Sequence, residues 1–231
     1  MKTLPLGKDI LIITAHPDDE SYLCAGTIAQ NRDLGGTTSL VCATLGEQGK
    51  SHLAKVVTNR ELKQIRKKEL IQVSKFLKID NLILLNLPDG KLERYADIFL
   101  LKVLRIARKL RPDYLLSFGP DGFTNHRDHI AAFSATRQVA SAMKLPQACI
   151  CLPPKILRFG LPFLLKKRKN NVYTDIVSFQ SCNCLVKIDQ KVKKKALLYH
   201  KSQIDKGDPF ATFPSHLKKE FYKAEYYYFE G

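Results

Sequence analysis

Two short stretches of this chain concentrate residue types that bind metal ions and move protons. The first is His16-Pro17-Asp18-Asp19-Glu20, one imidazole and three carboxylates within five residues. A catalytic zinc site takes imidazole and carboxylate ligands and keeps one position open for water. Carboxylates crowded in a partly desolvated cleft repel one another unless a cation joins them. Taken alone, the same run also suits the first turn of a helix, where acidic side chains complement the dipole. The second stretch is His126-Arg127-Asp128-His129. Histidines three apart at a helix start can face one site, one ligating a metal while the other faces substrate.

The elements that must position these clusters alternate in type. Residues 9–15 (DILIITA) form a short, nearly continuous apolar run, as expected of a strand buried on both faces. A helix is expected over 21–34, ending at Gly35-Gly36, and a second strand over 38–45. Apolar residues Leu62, Ile65, Leu70, Val73 and Leu77 give 59–77 a helical period. A third strand (81–86) runs into the turn Leu87-Pro88-Asp89-Gly90, a helix spans 96–110, a fourth strand covers 113–118, and another helix starts near His129. Such alternation implies right-handed crossovers and a mainly parallel sheet, with ligands at the carboxyl ends of the strands. Both clusters then fall on one sheet edge. That conjunction favours a shared site over two unrelated polar loops.

The expected fold class is therefore α/β, Rossmann-like, with a mainly parallel sheet flanked by helices in a single domain with a C-terminal extension. Its core spans about residues 8–142. Residues 143–171, interrupted by Pro146, Pro153, Pro154 and Pro162 and ending in a basic cluster, read as an inserted excursion. One or two strands are expected in 172–188, a helix at about 189–201, and a mixed tail to 231.

The motifs resemble the PIG-L/LmbE-like zinc deacetylases. The His-Pro-Asp-Asp-Glu pentad and His-x-Asp-His carry the likeness. So do Thr44-Leu45-Gly46-Glu47-Gln48-Gly49, Arg66-Lys67-Lys68-Glu69 and the turns at Pro88-Asp89-Gly90 and Pro120-Asp121-Gly122. Lys195-Ala196-Leu197 followed by His200-Lys201-Ser202-Gln203 is similar to the family's late segment. The order and spacing of these matches make the likeness specific, although residues 143–185 match no family feature. The resemblance implies one Zn²⁺ per chain held by His16, Asp19 and His129, with a fourth position for water; Fe²⁺ suits the same donors. It implies Asp18 as general base, His126 as stabiliser of the oxyanion or proton donor to the leaving amine, and Asp128 as the carboxylate fixing the tautomer of His126. Arg66, Glu47, Arg127 and His200 are the candidate substrate-binding residues, with a structural ion pair as the alternative for Arg66 and Glu47 and a place behind the site as the alternative for His200. Arg127 stands where the family often has proline; it is expected to project into solvent, and if turned inward it would favour a phosphate or carboxylate near the scissile amide. The implied activity is metal-dependent N-deacetylation of an N-acetylglucosamine-type group, carried on an anionic lipid, nucleotide or polysaccharide. A thiol or other non-sugar conjugate is the alternative substrate, and a non-catalytic metalloprotein that binds anionic polymers is the alternative class.

Composition bounds these readings. The formal charge is +16, with 22 Lys and Arg against 15 Asp and Glu in residues 1–150 and 16 against 7 thereafter. Such a field favours anionic partners. Nucleic acid fits poorly: aromatics are not interleaved with the basic clusters, no helix-turn-helix or finger pattern is visible, and an acidic site would repel phosphates. No apolar run approaches the length of a membrane span, and the N-terminus lacks the apolar region of a signal peptide, so a cytoplasmic protein is expected. Residues 155–169 (KILRFGLPFLLKKRK) mix apolar and cationic side chains without an acid, which suits peripheral contact with an anionic membrane. The six cysteines, including Cys149/Cys151 and Cys182/Cys184, read as buried thiols of a reducing compartment rather than zinc ligands.

Overall fold

Short apolar runs recur along the chain, and in the computed structural model most of them become strands buried on both faces. Residues 1–160, 182–211 and 213–230 are described. In chain order, the edge strand β1 (Lys2–Thr3) precedes β2 (Ile10–Thr14), all of whose residues are buried. Two helices follow, α1 (Asp19–Leu23) and α2 (Ala25–Asp33), where one was expected; the backbone of Cys24 leaves helical geometry between them. Then come β3 (Thr38–Cys42), α3 (Asn59–Leu77), β4 (Asn81–Leu84), α4 (Ala96–Leu110) and β5 (Tyr114–Phe118). A single turn, α5 (Gly122–Asn125), leads into α6 (Arg127–Met143).

The excursion expected over 143–171 opens instead with a core strand, β6 (Gln147–Cys151), paired parallel to β5. Its five residues are too few to show a period, and prolines bracket it. The short helix α7 (Pro154–Phe159) comes next; there Ile156 packs inward while Phe159 is exposed. The remainder of the basic segment, 161–169, and the strand expected before 182 lie outside the described residues. The C-terminal part supplies β7 (Cys184–Lys187), α8 (Gln190–Leu197), α9 (Ser215–Lys218) and β8 (Ala224–Glu230).

The eight strands form one sheet in the order β1-β7-β8-β6-β5-β2-β3-β4. All pairings are parallel except those of β8, which runs antiparallel between β6 and β7. The sheet is thus mixed and mostly parallel, flanked by helices, in a single domain. Because β2 lies between β3 and β5, the connections leaving β2 and β5 diverge there. This is the switch point at which open α/β sheets leave a crevice. A smaller apolar cluster, containing Leu152, Ile156, Phe210, Phe213 and Phe221, packs beside the main core and touches Tyr22 and Phe123. Among the described residues no helix is long and apolar enough to cross a membrane.

Candidate metal centre and substrate pocket

At the end of β2 the chain stops behaving as a strand and folds back on itself. Asp18 adopts φ +107°, a conformation that L side chains rarely hold and that tends to persist at functional sites. The turn brings Asp19 back against the strand end, where its Oδ2 accepts from the N–H groups of Ala15 (3.1 Å) and His16 (2.8 Å). Its Oδ1 lies 3.3 Å from His129 Nε2. His129 donates from Nδ1 to the carbonyl of Gly122 (3.0 Å), which turns Nε2 toward the site. Its ring is stacked on Phe118 at the end of β5.

His16 Nδ1 completes the group, 3.2 Å from His129 Nε2 and 3.8 Å from Asp19 Oδ2. Donors placed about 2.0–2.1 Å from a tetrahedral zinc are separated by about 3.3 Å. The His16–His129 and His129–Asp19 spacings match that requirement, while His16 and Asp19 stand wider apart, 3.8 Å to the other carboxylate oxygen. Among the described residues, the groups whose ligand atoms lie within reach of one ion are His16 with His126 and His129, and His16 with Asp89 and Asp128; Asp19 adjoins the first through His129.

The charges around this centre are strongly coupled. Burial works against a charged His16, but hydrogen bonds to Asp128 and Asp89 and the charge of Asp19 outweigh it, raising its pKa to about 10. Burial also opposes ionisation of Asp19, yet the neighbouring His129 and His16 hold it well below the carboxylate range. Asp18 goes the other way. Burial raises it to about 6, against the pull of the Arg66 guanidinium. His126 is depressed to about 4, chiefly by burial and then by His129 and His16, so its ring is neutral near pH 7. Its ring centre sits 4.8 Å from that of His16 and 4.6 Å from that of His129, and its buried Nδ1 has no partner.

Arg66 reaches this site from α3. Threonine 58 caps that helix in a reciprocal box with Glu61, and Leu62, Leu70, Val73 and Leu77 face the core. Arg66 and Glu69 share that inward stripe. The Arg66 guanidinium donates to the carbonyls of Gly46 (2.9 Å) and Pro17 and lies 3.1 Å from Asp18 Oδ2. Gly46, at φ +69°, is required here, since a Cβ would lie 2.2 Å from Arg66 Nη1. Glu69 accepts from the N–H (2.8 Å) and Oγ (2.6 Å) of Ser202, binding the late His-x-Ser-Gln segment to α3.

These groups open on a pocket of about 390 Å³, lined by His16, Asp18, Asp19, Arg66, Asp89, His126 and His129 together with Tyr22, Gln48, Phe123 and Gln203. The role expected of Asp128 needs correction, and Arg127, Glu47 and His200 take the alternatives to substrate binding. Asp128 does not touch His126: it lies 3.2 Å from His16 Nε2 and accepts from the backbone of Gly90 and Leu92, because α6 turns it toward the loop after β4. Arg127 points away, into a separate cavity of about 510 Å³ with Asn125 and Gln138, as expected one position further round a helix from His126. Glu47 does not line the pocket; its Oε1 accepts from the Asp89 N–H (3.2 Å), bracing one loop against another. His200 is completely buried, bonded at 2.7 Å to Glu20 behind the pocket wall.

Other pocket residues went unassigned. Asp89 is the most telling, since the Pro-Asp-Gly sequence reads first as a turn and only second as a carboxylate. Gln203 belongs to the late segment and Tyr22 to the first helix, but no spacing rule singles them out. The six cysteines are free, and none joins a metal-ligand group among the described residues.

Comparison with known proteins adds a separate line of observation. The family model PIG-L, described as GlcNAc-PI de-N-acetylase, matches residues 11–140. The chain is 40% identical over 128 residues to the probable N-acetyl-alpha-D-glucosaminyl L-malate deacetylase 2 of Bacillus subtilis (strain 168). That match covers 54% of this chain and 58% of the relative, so the chain spans little more than half of that relative's length. A 1D-myo-inositol 2-acetamido-2-deoxy-alpha-D-glucopyranoside deacetylase 2 of Catenulispora acidiphila is 26% identical, over 96% of this chain and 88% of its own. The solved N,N'-diacetylchitobiose deacetylase of Pyrococcus horikoshii superposes with a TM-score of 0.72 at 24% identity, covering 96% of this chain and 84% of that one. At that identity the likeness is one of fold.

Proposed function

Because the chain belongs to the PIG-L family, we propose that it is a zinc-dependent deacetylase acting on an N-acetylglucosamine-type conjugate. The observation that carries this reading is the convergence of His16, Asp19 and His129, 3.2–3.8 Å apart, in the same pocket as Asp18 and His126. Fold alone would not support it, since one fold hosts many chemistries. The amino-sugar specificity draws on the relatives, which are named for glucosaminyl-malate and glucosaminyl-inositol substrates.

His16, Asp19 and His129 would hold a zinc ion, or Fe²⁺ in its place, and the bound metal would supply Lewis acidity toward the acetamide carbonyl and a water. The side chains do the rest. Asp18 takes the proton of the attacking water as the C–O bond forms, and Arg66 keeps its carboxylate turned into the pocket. His126, neutral and desolvated, offers an N–H to the developing oxyanion. As the C–N bond breaks, the proton on Asp18 passes to the departing amine, leaving acetate and a free amino sugar.

The pocket's composition suits a neutral ring inside and any charge outside. Tyr22 and Phe123 offer faces to a sugar, while Gln48 and Gln203 offer polar contacts. Arg66 is the one arginine or lysine among the lining residues, and it is already paired with Asp18. An anionic carrier group would therefore sit at the mouth. Six free cysteines fit a reducing, cytoplasmic setting. Contact of the 155–169 segment with anionic lipid is the finer reading of the basic charge, tested by co-sedimentation with anionic against neutral vesicles.

The test of function is mass spectrometry of an acetylated panel (glucosaminyl-malate, glucosaminyl-inositol, chitobiose and a phosphatidylinositol conjugate) after incubation with zinc-loaded protein. Loss of one acetyl group from at least one member is expected. A folded, zinc-loaded protein that leaves every member intact overturns the reading. Neither a thiol-conjugate amidase nor a purely binding protein has a specific observation in its favour.

A further inference from the structure

The ring of His16 is gripped on the side away from the ligand group. Its Nε2 lies 3.1 Å from Asp89 Oδ1 and 3.2 Å from Asp128 Oδ2, while Nδ1 is the atom beside Asp19 and His129. Neither carboxylate is free to swing. Asp128, 1% exposed, accepts from the Gly90 N–H (2.7 Å) on Oδ2 and from the Leu92 N–H (3.1 Å) on Oδ1. Asp89 accepts from the Gln48 N–H (2.8 Å) on Oδ2, which leaves Oδ1 for the imidazole. The grip draws on the loops after β3 and β4 and on the first turn of α6, so three separate chain segments meet on one ring.

We propose that Asp89 and Asp128 are positioning residues: together they hold the Nε2–H of His16, so that Nδ1 is the nitrogen presented to the metal. The proposal rests on the reading of His16 as a ligand. Two carboxylate acceptors on one edge require the proton to be on Nε2 and so fix the tautomer. They fix the ring plane as well. Turning the ring by half a rotation would set its carbon edge against both carboxylates and withdraw Nδ1 from Asp19 and His129. Carboxylates that orient a ligating imidazole in this way are worth about 10–100-fold in metal affinity.

Asparagine is an informative replacement because both oxygens of each aspartate are already acceptors. The new NH₂ group must face a donor, either the imidazole N–H or a backbone N–H, and at least one hydrogen bond is lost whichever way it turns.

The experiment measures zinc affinity by chelator competition for the unaltered protein, Asp89→Asn, Asp128→Asn and His16→Ala, with circular dichroism of each metal-free form. Both asparagine variants are expected to fold and to bind zinc about 10–100-fold more weakly. Nitrogen-15 NMR of histidine-labelled, zinc-loaded protein is expected to show His16 protonated at Nε2 and ligated through Nδ1. Undiminished zinc in His16→Ala removes the ligand reading and this proposal with it. Loss of zinc in His16→Ala combined with full affinity in folded Asp89→Asn and Asp128→Asn overturns the positioning role alone. Ligation through Nε2, with the ion between His16, Asp89 and Asp128, overturns it too. Should Asp128→Asn fail to fold, Asp89→Asn and the NMR of the unaltered protein still decide the matter.

Discussion

At the scale of single residues, the two adjacent aspartates of the His-Pro-Asp-Asp-Glu pentad divide the work because their surroundings differ. Asp19 is pinned by two backbone N–H groups and faces two histidines, conditions that favour a permanently ionised ligand. Asp18, one residue earlier on a left-handed backbone, is half-buried with Arg66 as its nearest counter-charge, and desolvation lifts its pKa to about 6. A carboxylate poised nearer neutrality is the better proton carrier. Asp18→Asn is therefore expected to retain zinc by elemental analysis while its turnover drops about 10²–10⁴-fold. Zinc lost along with activity would make Asp18 a ligand instead.

At the scale of elements, the pocket depends on a strut behind it. The late segment 200–203 is tied to α3 through Glu69 and to the start of α1 through the buried His200–Glu20 pair. Burial pulls the His200 pKa down, but the Glu20 carboxylate more than compensates and the net shift is upward. A histidine whose folded pKa exceeds its unfolded value of about 6.5 stabilises the protein fully below that pH. The contribution is lost as pH rises through the folded pKa. Comparing melting temperatures of the metal-free protein and His200→Gln across pH should therefore show the largest gap below pH ~6.5 and a narrowing gap above it. A gap that widens with rising pH would mean that His200 is held neutral in the fold. Removing one partner outright, as in His200→Ala, should cost about 3–5 kcal/mol, because a buried charge is left unpaired.

At the scale of the whole molecule, the positive field and the acidic pocket are separate features with separate consequences. The pocket holds three aspartates and one paired arginine, so the +16 formal charge acts mainly from outside it. Such a field speeds the approach of anions and is screened once the Debye length falls to about 10 Å at 0.1 M salt. For a phosphate- or malate-bearing conjugate, kcat/KM is expected to fall by about an order of magnitude between low and high ionic strength. For neutral chitobiose it should barely change. Equal salt dependence for both would remove the anion-steering role.

Much of this was readable from the chain alone, for a physical reason. Strands β2, β3 and β5 are short apolar runs between turn residues; the first ligand cluster follows β2 directly and the second follows β5 after one short loop, so local pattern sufficed to put His16, Asp19, His126 and His129 on one sheet edge. Arg66 came through the resemblance of Arg66-x-x-Glu69 to the family's motif, and its spacing of four from both Leu62 and Leu70 is the physical reason it faces inward. What sequence could not supply was direction. Whether Arg127 or Asp128 turns toward the pocket depends on about 100° of helix rotation, set when α6 packs on β5. The partner of Asp128 depends on how close the loop after β4 comes, a contact across 38 residues of chain. Strand β6 and the antiparallel β8 were hidden for a related reason. Five residues between prolines show no period, and a terminal strand reveals its place only once β6 and β7 leave a gap for it. Residue type and spacing determined which groups could meet; only the packed fold decided which faces they turned to one another.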